Sequence, residues 1–151
     1  MNKILLISAF SLLTLPIMAQ EKIVQTAGRD QLGEFAPRFA ALNDDVLFGD
    51  GVWNDSTLSL HDRSMVTISL LLGKGVLDSS FRAHLELGKK HGITRSEIAA
   101  LLTQAAFYAG WPNAWAGFRM AVEVWSDDTA AEDAKTAFQR EMIFPIGEPN
   151  T

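Results

Sequence analysis

The chain has no cysteine. That excludes disulfides, thiolate metal sites, a cysteine nucleophile and any Cys-x-x-Cys redox pair, so the fold rests on its apolar core. Basic residues are few and unclustered: 13 Lys and Arg stand against 18 Asp and Glu, for a net charge of −5 at pH 7. Such a chain is a poor partner for nucleic acid or for an anionic membrane surface. No segment alternates apolar and polar residues over strand length, which argues against a sheet. There is no internal repeat and no low-complexity stretch. No apolar run reaches the about 20 residues of a membrane span.

What is present starts with a leader. Lys3 precedes the apolar run Ile4 to Leu15, and Pro16-Ile17-Met18-Ala19 ends on a small residue. This is the layout of a secretory signal over residues 1–19, cleaved after Ala19, although a buried N-terminal helix would share the pattern. The expectation is an exported protein, periplasmic or secreted, with no membrane association after cleavage. Losing Lys3 with the leader makes the charge one unit more negative. The remaining roughly 130 residues suit one domain, and a 48% hydrophobic content supports a real core.

Residues 20–42 read as a lead-in and first helix, in which Leu32, Phe35, Phe39 and Leu42 recur at helical spacing and Pro37 marks an alternative start. Residues 43–126 form the core. Asn43 to Leu58 looks irregular, with turn formers Gly49, Asp50, Gly51, Asn54, Asp55 and Ser56 around Phe48 and Trp53. A helix is expected from Ser59, with Asp62 completing a capping box and Met65, Ile68, Leu71 and Leu72 on one face. The next starts at Asp78 or Ser79, carries Phe81, His84, Leu85 and Gly88 on one stripe, and ends at Gly92. Thr94 and Glu97 open another, with Ile98, Leu101, Leu102, Ala105 and Ala109 inward and Gly110 at its end. Pro112 opens one with large residues Trp115, Phe118, Val122 and Trp125 and a narrow stripe of Ala114, Gly117 and Ala121. Residues 127–151 read as a C-terminal helix and an extended arm. The fold class is all-α, a compact bundle of about six helices.

Four segments then match a known family. They are Gly49-Asp50-Gly51-Val52-Trp53, Arg63-Ser64-Met65-Val66-Thr67, His84 followed by Gly92-Ile93-Thr94 with Glu97-Ile98, and Tyr108-Ala109-Gly110-Trp111-Pro112. In this order and spacing the chain resembles carboxymuconolactone decarboxylases, which share a fold with alkylhydroperoxidase D-like proteins. The resemblance implies a helical subunit that is an obligate homo-oligomer, trimer or hexamer, with sites where helices meet. It implies cofactor-independent decarboxylation of a carboxylated lactone, or peroxide reduction by a cysteine pair ahead of the histidine. The pair's positions hold Leu77 and Ser80, so thiol peroxidase activity is excluded. Ala100 stands where family members often carry Glu. The ending Phe144-Pro145-Ile146-Gly147-Glu148-Pro149-Asn150 resembles a linker that in some members leads into a cupin domain, so a separate cupin protein is a conceivable partner.

His84 is the candidate catalytic residue. An imidazole exchanges protons near neutrality, and burial on an apolar stripe favours its neutral form. Decarboxylation beside a carbonyl needs an apolar seat, a group to hold the developing enolate and a proton for carbon; imidazole suits the last two. A core histidine bonded to a backbone carbonyl is the alternative. Trp53, Tyr108 and Trp111 are candidate walls of a substrate pocket, or else core and interface aromatics. Arg63 is a candidate anchor for a substrate carboxylate, or a structural ion-pair centre with Asp62. Trp115 and Trp125 are assigned to packing, His91 to a helix end and His61 to solvent, and the histidines lack metal-ligand spacing, so no metal and no cofactor is expected. The reading is a decarboxylase or isomerase-like lyase for a small carboxylate or carbonyl compound; the rival is a non-catalytic exported module for ligand binding or assembly.

Overall fold

The computed structural model describes residues 22–129 and Lys135. The leader, most of the expected C-terminal helix and the arm lie outside the described residues. Those described are helical with no strand among them, and no helix is long and apolar enough to cross a membrane.

The main body is α3 (Leu60–Gly73), α4 (Ser79–Lys90), α5 (Arg95–Ala109) and α6 (Trp111–Val124). Each start has a local cause. Ser59 Oγ accepts from Asp62 N at 3.0 Å, and Asp78 Oδ1 accepts from Ser80 N at 2.8 Å. Thr94 and Glu97 form a full capping box, and Pro112 sits in the first turn of α6. Gly75, Gly92 and Gly110, with φ of 71°, 87° and 88°, make the turns between helices, a conformation that L side chains resist.

Apolar periodicity then decides the packing. Ser64, Ile68 and Leu72 line the buried stripe of α3; Phe81, Leu85 and Gly88 that of α4; Ile98, Leu102 and Ala106 that of α5. The small stripe of α6 lets it close on three neighbours: a Cβ on Gly117 would fall 2.9 Å from Leu72 Cδ1 and 3.3 Å from Leu102 Cδ2. α3 lies against α4, α5 and α6, and α6 also lies against α4 and α5, whereas the backbones of α4 and α5 stay apart and only their side chains share the core. Trp125 closes the core, and its indole Nε1 donates to Ile93 O at 3.0 Å.

The N-terminal part is a separate unit. α1 (Ala27–Leu32) and α2 (Pro37–Ala41) pack on each other and on a π-helical segment, Leu42–Asp50, that continues α2. The backbones of these elements keep clear of α3–α6. Two expectations differ here. The turn formers after residue 43 act only from Gly49, where the backbone leaves helical values (φ −78°, ψ −136°). The apolar stripe from Leu32 to Leu42 does not form one helix, because Ala36, ahead of Pro37, is extended away from helical values (φ −138°, ψ 65°). Phe35 and Phe39 are consequently exposed.

Candidate active site

Trp53 is the meeting point. It lies in the segment between the two units and is 5% exposed despite being outside any helix. Its indole stacks near-parallel with Phe48, centroids 5.6 Å apart, and with His84 at 6.0 Å. His91 approaches the same indole at 6.0 Å, tilted by 44°. His84 comes from the middle of α4 and His91 from its C-terminal end, so one aromatic side chain covers both imidazoles.

The two imidazoles differ in their bonding. His84 is half-buried, and its Nδ1 is sealed from solvent with no hydrogen-bond partner. Nε2 is therefore the nitrogen that an incoming group reaches. Burial alone pushes its pKa below the usual histidine value, so the ring is neutral at pH 7. His91 Nδ1 lies 2.8 Å from Ser64 Oγ. Burial first, then the charge of Lys90, pushes the pKa of His91 down to about 4, with the Leu60 carbonyl acting in the opposite direction. Ser64, 1% exposed, occupies an apolar stripe position because it has this partner.

His61 does not face solvent as its place after the N-cap suggests. Its side chain is 13% exposed, with Nδ1 2.9 Å from Asp62 Oδ1 and Nε2 3.5 Å from Glu97 Oε2. It thus links the starts of α3 and α5 and contributes to the low pKa of His91.

The remaining candidates lie elsewhere. Arg63 is 11% exposed; Nε donates to Leu58 O at 3.1 Å, Nη2 donates to Asp55 O, and Asp55 Oδ1 stands 3.9 Å away. It pins the far end of the Trp53 segment, and its ion-pair partner is Asp55 rather than Asp62. Tyr108 is 83% exposed near the end of α5, on the side turned away from that helix's buried stripe of Ile98, Leu102 and Ala106, and it does not join the Trp53–His84 stack. Trp111 is 58% exposed and packs edge-on against Phe107 at 5.7 Å. Trp115 is also exposed, whereas Trp125 is core. Glu86 faces solvent and pairs with Arg82 at 3.6 Å. Among the described residues no group of three or more His, Asp or Glu side chains is placed to hold a metal ion.

Sequence alone gives no site role to Ser64 or Asn54, and marks Phe48 only as a large loop aromatic that packs onto a core or lines a pocket. Ser64 falls at four-residue spacing from Ile68 and Leu72, so a polar residue on that stripe was a readable sign of a buried partner. The roles of Phe48 and Asn54 depend on a loop path that local sequence does not specify.

Comparison with known proteins adds the family. The profile of the carboxymuconolactone decarboxylase family matches residues 37–123. A protein of Acinetobacter baylyi (strain ATCC 33305 / BD413 / ADP1), named 4-carboxymuconolactone decarboxylase, is 35% identical over 98 residues, covering 65% of this chain and 72% of the relative. No solved structure gives a significant match. The matched region takes in α2 to α6, the Trp53 segment and both covered histidines, and the chain belongs to the carboxymuconolactone decarboxylase family.

Proposed function

We propose that the protein is a cofactor-independent decarboxylase or isomerase-like lyase for a small carboxylated lactone or carbonyl compound, with His84 as its reacting residue. The observation that carries this is an imidazole kept neutral under Trp53, with one nitrogen sealed and the other reachable. The name of the Acinetobacter baylyi relative supports the substrate class.

Loss of carbon dioxide breaks the bond between the carboxylate and its carbon. The electron pair moves into a conjugated carbonyl, and carbon must later take a proton. Burial and the stacked indole supply an apolar surround that disfavours a charged carboxylate and favours leaving carbon dioxide. The sealed Nδ1 narrows the role of His84. A proton there would be a buried donor without an acceptor, so the proton belongs on Nε2. Nε2–H donates to the carbonyl oxygen, and the bond strengthens as that oxygen becomes an enolate. Water supplies the proton to carbon.

The test uses the full chain with 4-carboxymuconolactone and follows carbon dioxide release. His84→Ala, which removes the donor, should lower kcat by about a hundredfold or more while circular dichroism and assembly state stay as in the wild type. Unchanged turnover in the folded variant overturns the role. Tyr108, Trp111, Trp115 and Phe107 form an exposed aromatic face that supports a homo-oligomer, trimer or hexamer; sedimentation at micromolar concentration checks it. Export through the leader and association with a separate cupin protein are further proposals on sequence grounds, checked by periplasmic fractionation and by co-purification.

A further inference from the structure

Trp53 reaches α4 from a segment that belongs to neither unit, so something must set where the indole lands. Its neighbour Asn54 is the most connected side chain in that segment. Oδ1 accepts from Ile23 N at 2.8 Å. Nδ2 lies 2.9 Å from Ile23 O, 2.8 Å from Phe48 O and 2.7 Å from Gly49 O, so its two hydrogens are shared among three carbonyls. These partners come from the strap that enters α1 and from the end of the π-helical segment, where Phe48 stacks on Trp53. Trp53 N donates to Leu47 O at 2.9 Å, which folds the segment back on the same turn. Arg63 holds the other end through Leu58 O and Asp55 O. The Lys22–Asp50 ion pair also joins strap and turn, but its side chains are 71% and 88% exposed, so water and salt weaken it.

We propose that Asn54 is a positioning residue for His84: it clasps the strap at Ile23 to the turn at Phe48–Gly49 so that Trp53 is presented to the imidazole. The hydrogen bonds of Asn54 go to Ile23, Phe48 and Gly49 and not to His84, so it acts through the indole. The N-terminal unit then works as a cap whose seating sets how much water reaches the ring. The charged and titratable groups around His84 are His91 beneath the same indole, Arg82 and Glu86 on its own helix, Glu123 of α6 paired with Arg82, and, beyond His91, His61 with Asp62 and Glu97. None of them is among the causes of the lowered His84 pKa, for which burial is the cause. Hydration of the ring is therefore the quantity the clasp governs.

This inference rests on the proposed role of His84 only for its effect on turnover; its structural part is read without substrate. Two full-chain variants approach the clasp from opposite sides. Asn54→Asp keeps the shape and the acceptor but removes the donor and sets a carboxylate against three carbonyls. Ile23→Pro leaves Asn54 intact and removes the N–H that Oδ1 accepts. The probe is the carbon-bound imidazole protons of His84, followed by NMR against pH. In both variants the titration should move up toward the ordinary histidine value, and the ring-current shift from Trp53 should shrink. Exchange protection of Ile93 and Leu102 amides should persist, showing that the bundle remains folded. With 4-carboxymuconolactone, kcat should fall about tenfold. A folded Asn54→Asp whose His84 titration and ring-current shift match the wild type overturns the proposal, even if its melting temperature drops. If that variant does not fold, Ile23→Pro decides by the same readings. Absence of turnover in the wild type would sink the functional reading and leave the clasp to be judged by the titration.

Discussion

In α3–α6 the buried side chains are Ile68, Leu72, Phe81, Leu85, Leu102 and their like, closed by Trp125. In the N-terminal unit α1 buries Gly28, α2 buries Ala40, and the π-helical segment buries Phe48 and a carboxylate, Asp44. Phe35, Phe39, Leu42 and Val46 of that unit are exposed. One region is held by removing apolar area from water, the other by satisfying one buried acid. Asp44 accepts from Gly28 N at 3.0 Å, Arg29 N at 2.9 Å and Asn43 Nδ2 at 2.9 Å. Burial raises its pKa, and these bonds together with the charge of Arg29 outweigh that, leaving it lowered overall. An apolar core is additive and tolerant of local loss; a polar hub has one point of failure.

Variants should separate the two regions. Trp125→Ala has the largest expected effect, about 3–5 kcal/mol lost from the whole bundle, read as a lower denaturant midpoint. If α1 and α2 lost exchange protection while α3–α6 kept theirs, the assignment of the core would be wrong. Ser64→Ala strands the Nδ1 of His91 and should cost about 1–3 kcal/mol, again from the bundle, as a lower midpoint with unchanged slope.

Acid should rank the regions by pH. His91 has a folded pKa of about 4, below its unfolded value of 6.5, so the unfolded chain binds the proton more readily. The bundle is fully stable above pH 6.5 and loses stability as pH falls toward 4; His84 adds a change of the same sign. Asp44 has a folded pKa below 3.8, so its contribution is present above that value and is lost only at lower pH. Between pH 6 and 4.5, melting curves should therefore report a weakening bundle, and amide exchange a persistent α1–α2 contact. The smallest global effect belongs to Asp44→Ala. It should speed amide exchange at Gly28, Arg29 and the residues after them while leaving the bundle's melting temperature in place.

The sequence made the local features readable. N-caps at Ser59, Asp78 and Thr94, the glycines at 75, 92 and 110, and Pro112 act within a few residues, so pattern reading finds them. The buried stripes follow from four-residue spacing. Helical phase also held information that motif reading passed over. Tyr108 lies two residues beyond Ala106, about 200° around the helix from the buried stripe, and it is exposed accordingly. Of the candidate site, His84 and Trp53 were legible one by one, and their stacking was not. The pairings of Trp53 with His84, Ser64 with His91 and His61 with Glu97 join residues 27 to 36 positions apart, and their geometry depends on how the helices close rather than on any local preference.

Gly110 is both the residue that leaves α5 and the one that enters α6. No slack separates the two helices, so their phases are geared together. A single inserted residue at that corner would turn α6 by about 100° about its axis. Gly117 would swing off Leu72 and Leu102, and bulkier neighbours would arrive where there is no room.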